Sequence, residues 1–140
     1  VSQYFQVGRT VLWNPSNGVA QLFARNVEAV AGAVEVPTGI APEVNDEYEI
    51  DLVAFTAFVD ALVRRYRSST HRILRALIED VAALGIVMVE RGGGTVAALA
   101  EPASAFDPRD VAVLTTGFGA TGDPRRLREL ADELTRHMAC

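Results

Sequence analysis

Between Ile50 and Arg91 apolar residues recur at Leu52, Phe55, Val59, Leu62, Tyr66, Ile73, Leu77, Val81, Leu84 and Met88. The steps are threes and fours, with one longer step that spans two turns. This is one face of an amphipathic helix held in register across the middle of the chain. The rest of the protein is expected to cover that stripe. Ser68-Ser69-Thr70 is its weak point, where a break would let Ser69 or Thr70 cap a second helix. Because the apolar register carries through, one continuous or mildly bent helix is expected.

The flanking pattern adds smaller elements. Tyr4 to Trp13 is rich in strand formers, with Gly8-Arg9 as a turn or bulge, so a strand or hairpin is expected. Asn14-Pro15-Ser16-Asn17 stops it. A helix should follow from about Asn17 to Val34, its apolar face made by Val19, Leu22, Phe23, Val27, Val30 and Val34. Pro37, Gly39 and Pro42 mark a loop from Glu35 to Asn45. Asp51 is expected to cap the central helix, with the acids ahead of it favourably placed at the positive helix end. Asp60 and Arg64, four apart, suit an exposed pair. Gly92-Gly93-Gly94 ends the helix. Beyond it Thr95–Leu99 suits a short strand, Glu101–Arg109 a turn-rich loop and Val111–Thr116 a strand. Asp123-Pro124 opens a last helix with its apolar face at Leu127, Leu130, Leu134 and Met138.

The expected fold class is therefore α+β and mostly helical, a single domain over residues 1–140. A long central helix packs on a shorter N-terminal one, with an N-terminal strand or hairpin and a small C-terminal strand plus helix. An unbroken central helix would be about 60 Å long, more than the width of a domain this size. Its stripe would outrun its own domain, which points to a homodimer of two-fold symmetry.

Composition narrows the function classes. The formal charge is −5, which argues against the clustered basic surface of a nucleic-acid binder. No stretch is long and apolar enough for a membrane helix. The N-terminus lacks a signal-peptide pattern, and the lone Cys140 can make no internal disulfide, so a cytoplasmic setting is expected. Every basic residue other than the two histidines is arginine. That fits the codon bias of a GC-rich genome, as Val1 fits a GTG start.

Candidate chemistry is sparse. Gly117-Phe118-Gly119-Ala120-Thr121-Gly122 matches G-x-G-x-x-G, but no room remains for the second strand of a dinucleotide unit, so a strand-to-helix loop is the reading and no cofactor is expected. The acidic segment Glu43, Asp46, Glu47, Glu49 and Asp51 lacks the glycine and terminal glutamate of a calcium loop, so no metal is expected. His71 lies off the stripe among Arg67, Arg72 and Arg75 and reads as a surface residue. Polar residues inside apolar faces are more informative. Asn26 falls between Leu22, Phe23 and Val30, Thr70 lies on the central stripe, Asp80 lies about 50° from its centre, and Tyr66 points inward with a hydroxyl. Such groups need partners or a cavity. Two uses follow: they satisfy backbone groups, or they line a ligand pocket walled by Trp13, Asn14 and Tyr66, with Asp80 as acid or base and Asn26 orienting the substrate.

Val7-Gly8-Arg9-Thr10-Val11-Leu12-Trp13-Asn14-Pro15-Ser16-Asn17-Gly18-Val19, then Asn45-Asp46-Glu47-Tyr48-Glu49-Ile50-Asp51 and Phe55 with Phe58-Val59, resemble a family of small uncharacterised actinobacterial proteins over roughly residues 1–95. The resemblance implies a single domain and carries no catalytic residue. The functional expectation is a small cytoplasmic non-catalytic interaction protein, homodimeric through its central helix and free to take a protein partner. The alternative is a small-molecule binder or acid/base enzyme of specialised metabolism that uses the polar pocket.

Overall fold

The computed structural model describes residues 1–102, 113–114 and 117–140. The chain opens with a β-hairpin, β1 (Tyr4–Val7) and β2 (Thr10–Trp13), antiparallel with Val7 opposite Thr10. Gly8, the first turn residue, takes a φ of 57°, the conformation a tight hairpin turn requires there. α1 (Asn17–Val34) follows, and then β3 (Glu47–Glu49), which adds to the hairpin parallel to β1 and gives the order β2-β1-β3. Asn45 and Asp46, both left-handed, make the tight turn before β3, closed by hydrogen bonds both ways between Val44 and Glu47.

Aromatic side chains fix this sheet to α1. Phe5 stacks on Tyr48 at 4.5 Å and on Trp13 at 5.7 Å, and its edge contact with Phe23 of α1 spans 5.3 Å. Offset and edge-on pairs of this kind add about 0.5–1.5 kcal/mol each beyond burial alone.

The central helix is not continuous. The chain forms α2 (Leu52–Ser68) and α3 (Arg72–Arg91), with Ser69 and His71 in extended conformation between them. Short polar side chains take over the backbone there. Ser69 Oγ accepts from the His71 amide at 3.0 Å, and His71 Nδ1 accepts from the Leu74 amide at 3.2 Å. The cap of α3 is thus His71, rather than Ser69 or Thr70. Asp51 caps α2 as expected, through the Ala54 amide.

The two helices fold back on each other as an antiparallel hairpin. A Cβ on Gly85 of α3 would fall 2.7 Å from Val59 Cγ2 of α2, and one on Gly92 2.9 Å from Leu52 Cδ1. α3 is buried nearly all round in its second half, at Val81, Ala82, Ala83, Ile86, Val87, Met88 and Val89. Helices of 17 and 20 residues span only about 26 and 30 Å, the width of a domain. The break therefore removes the argument that an overlong stripe demands a dimer.

After α3 a short 3-10 turn (Ala97–Leu99) stands where a strand is expected. Asp60 Oδ1 accepts from the Ala98 amide, and Arg64 pairs with Glu101 at 2.7 Å, so the expected Asp60–Arg64 pair gives way to two longer-range contacts. β4 (Val113–Leu114) and β5 (Gly117–Phe118) pair antiparallel. Most of the expected Glu101–Arg109 loop lies outside the described residues. α4 (Pro124–Leu134) begins at Asp123 as cap, buries Leu127 and Leu130, and packs on α3.

We predict that Gly85→Ala lowers stability. Overpacking against the stiff Val59 costs about 1–3 kcal/mol, and the gain in helix propensity offsets up to about 1 kcal/mol. Taking the middle of that range, urea unfolding should show a net loss of about 1 kcal/mol. Unchanged or higher stability would mean the helices do not approach so closely.

Candidate functional site

The break turns the first half of α3 inside out. Arg72, Arg75, Ala76 and Glu79, spaced i, i+3, i+4, i+7, form one stripe directed at Tyr66 of α2 and Arg126 of α4. The apolar side of the same turns faces out, beside α1. Leu77 is 69% exposed and Ile73 61%, and on α1 Leu22 is 59% and Val19 47% exposed. Between α1 and α3 runs a groove of about 360 Å³ lined by Asn26, Ala29, Val30, Ala33, Leu74, Leu77 and Ile78; of the four exposed residues Leu77 lines it, and the others lie further along the two helices. Among the described residues no lining residue is charged, and Asn26 supplies the only polar side chain.

Large exposed aliphatic residues on two adjacent helices are the observation that marks this face. Single exposed apolar residues are ordinary, whereas a contiguous patch around a groove marks an interaction site. Asn26 sits within it as an exposed residue, not inside the core. The apolar side of α1 is wider than the part the core uses: Ala20, Phe23 and Val27 are buried, whereas Leu22 is not.

The remaining sequence candidates disperse. Asp80 is exposed, because with Ile73 and Leu77 outward the buried centre of α3 shifts to Ile78, Val81, Ala82 and Gly85. Trp13 belongs to the aromatic core. Asn14 lies in the turn after β2, its amide bonded to the Ala139 carbonyl at 2.8 Å, while its Oδ1 is buried without a partner among the described residues. Thr70 is buried at the break, and its Oγ1 likewise lacks a partner among the described residues. Asn26 and Tyr66 line different cavities, so no shared pocket joins them.

The acidic segment is structural in part. Glu49 Oε1 accepts from the Gly8 amide at 2.7 Å and so ties β3 to the hairpin turn. Asp46 gives its carbonyl to the Tyr4 amide, and Glu47 is exposed. In the glycine-rich loop, the Gly122 amide donates to the Tyr66 carbonyl at 3.1 Å. A Cβ on Gly122 would lie 2.5 Å from Tyr66 Cδ1. That glycine is needed for close approach to the tyrosine, with no nucleotide invoked.

Tyr66 is buried, and its hydroxyl donates to Glu79 Oε1 at 2.8 Å. Arg126 Nε reaches the same oxygen at 3.3 Å. Burial, then the hydrogen bond and charge of Glu79, push the Tyr66 phenol up to about 12, against the opposing pull of Arg75 and Arg126. Tyr48 is also raised, first by burial and then by Glu43, with Arg25 opposing. Sequence reasoning missed Glu79 and Arg126 as partners of Tyr66. The available signal was arginine in the opening turns of α3 and α4, where the helix dipole disfavours it.

An antiparallel helix pair, closed by a third helix and faced with a small three-stranded sheet, defines a small α+β protein. The chain belongs to DUF6086, a family of unknown function, whose model matches residues 1–140 and thus extends over the C-terminal third beyond the expected resemblance. No curated protein and no solved structure matches the chain.

We predict that Tyr66 ionises well above the ordinary phenol range. Its folded pKa lies above the ordinary phenol value, so the stabilisation is complete below about pH 10 and is lost as pH rises through about 12. An ultraviolet titration should show a late phenol that disappears in Tyr66→Phe. Ionisation of Tyr66 at the ordinary phenol value would contradict the Glu79 contact.

Proposed function

We propose that this protein is a small non-catalytic interaction protein that works as a homodimer, with the α1–α3 face as the contact between copies. The exposed Val19, Leu22, Ile73 and Leu77 around an uncharged groove carry this reading. Of the expected central stripe, Leu77 is carried into this proposal as an outward residue beside α1.

Three features favour a second copy as the occupant. Each copy carries a formal charge of −5, so like-charged molecules meet with least repulsion at a groove whose described lining carries no charge. The one polar group, the Asn26 amide, both donates and accepts, so it is satisfied by its own symmetry mate across a two-fold axis. Ala29 and Ala33 leave space for a close helix approach along the same line. A cytoplasmic setting accords with the single free Cys140, which needs no oxidising compartment. The alternative pocket built jointly on Asp80, Asn26 and Tyr66 is not pursued, because the three stand apart.

The test is native mass by light scattering across a wide concentration range. The wild-type protein should show a dimer, and Leu77→Asp should be monomeric with unchanged far-ultraviolet circular dichroism. Burying an unpaired carboxylate at the contact should weaken association at least about a hundredfold, equivalent to roughly 3 kcal/mol. A wild-type monomer at the highest concentrations would contradict the proposal.

A further inference from the structure

On the opposite side of α3 from the apolar groove lies a second cavity, of about 260 Å³ and mostly polar. It is lined by Tyr66, Arg72, Arg75, Ala76, Glu79 and Arg126. Among the described residues three guanidinium groups therefore share one space with a single carboxylate. Glu79 Oε1 is taken by the Tyr66 hydroxyl and by Arg126 Nε. Arg75 is held by backbone oxygens, donating to the Ser69 carbonyl at 2.9 Å and also to the Ala120 carbonyl. Among the described residues no carboxylate pairs with Arg72 or Arg75. The cavity thus carries an excess of two positive charges in a protein whose overall charge is −5.

Such clustering opposes the local rules of helix formation. α3 has no acid in its first turn and starts with Arg72; α4 has none in its first turn and places Arg125 and Arg126 there. Cations at a positive helix end are unfavourable, and like charges around one cavity add to the cost. The contacts of Arg75 and Arg126 offset part of this cost, whereas Arg72 has no carboxylate partner among the described residues, and local conflicts of this kind concentrate at functional sites. Guanidinium forks suit planar or tetrahedral oxyanions.

We propose that this cavity binds a small oxyanion ligand, a phosphate or carboxylate group, held by Arg72, Arg75 and Arg126. Arg75 is pre-set by its two carbonyls, so it loses little freedom on binding. Glu79 competes with the ligand for Arg126 and keeps the site selective for anions strong enough to displace that contact. The space exceeds that of one phosphate and accommodates a small molecule bearing one. This site is independent of the α1–α3 contact, because it uses the other side of α3.

The test is calorimetric titration of the full protein with inorganic phosphate in chloride buffer at fixed ionic strength. Saturable binding at one site per chain is expected. Arg72→Gln, at an exposed position, should weaken it at least tenfold, and Arg72→Gln with Arg126→Gln should abolish it. Glu79→Gln should act in the opposite direction and tighten binding, since it removes the competing charge yet still accepts from Tyr66. Arg9→Gln, on the distant hairpin turn, should change nothing. Succinate in place of phosphate reads out which oxyanion the cavity prefers. Absence of saturable heat with both anions, or equal affinities in the wild-type, Arg72→Gln and Glu79→Gln proteins, would overturn the proposal.

Discussion

The contact on which this structure depends is the close approach of Gly85 to Val59. It allows α2 and α3 to lie against each other, and it exists only because Ser69 and His71 satisfy backbone groups that a continuous helix would have satisfied internally. Without the break the apolar stripe would run straight and would need covering from elsewhere. With it, the chain covers most of the stripe itself. Gly92 beside Leu52 and the Tyr66–Glu79 hydrogen bond repeat the closure at the two ends of the hairpin.

The reversal has a consequence for α3. From Val81 to Val89 it packs against α2, α4 and the sheet side and is apolar, and the charged Glu90 and Arg91 follow only at its end. Its first half reaches past that shelter. There one side meets Tyr66 and the start of α4 and is polar, whereas the other lies beside α1 and is apolar yet open to solvent. Both proposals arise from this half-helix. An outward aliphatic face asks for a partner surface, and an inward arginine stripe asks for negative charge.

Much of the architecture was legible. The hairpin, α1 and the caps at Asp51 and Asp123 follow from strand formers, a Pro-Ser-Asn stop and N-cap chemistry, all local signals. The break was harder to read, because apolar spacing that persists across Ser68–Thr70 fits one helix or two equally well. That single choice misplaced Asp80, whose angle was measured from a stripe that included Ile73 and Leu77. Asn26 was misplaced for a related reason: the apolar side of α1 is wider than its buried strip, and sequence cannot tell which part the core takes. β3 escaped notice because only Tyr48 of its three residues points inward, between two exposed acids. The arginine cavity joins residues from three helices, and no pattern along the chain brings Arg126 beside Glu79.

In the proposed homodimer the outward face of α1 and α3 meets its own copy about Asn26. Disulfide trapping tests it most directly. In a Cys140→Ser background, Asn26→Cys places one thiol per chain near the proposed two-fold axis, and a disulfide forms only when the two Cα atoms come within about 7 Å. Mild oxidation should give a covalent dimer that keeps the native circular dichroism, while a cysteine on the far side of α1, at Glu28, should remain unlinked. If Asn26→Cys stays monomeric under oxidant, or links no faster than Glu28→Cys, the contact does not lie on this face.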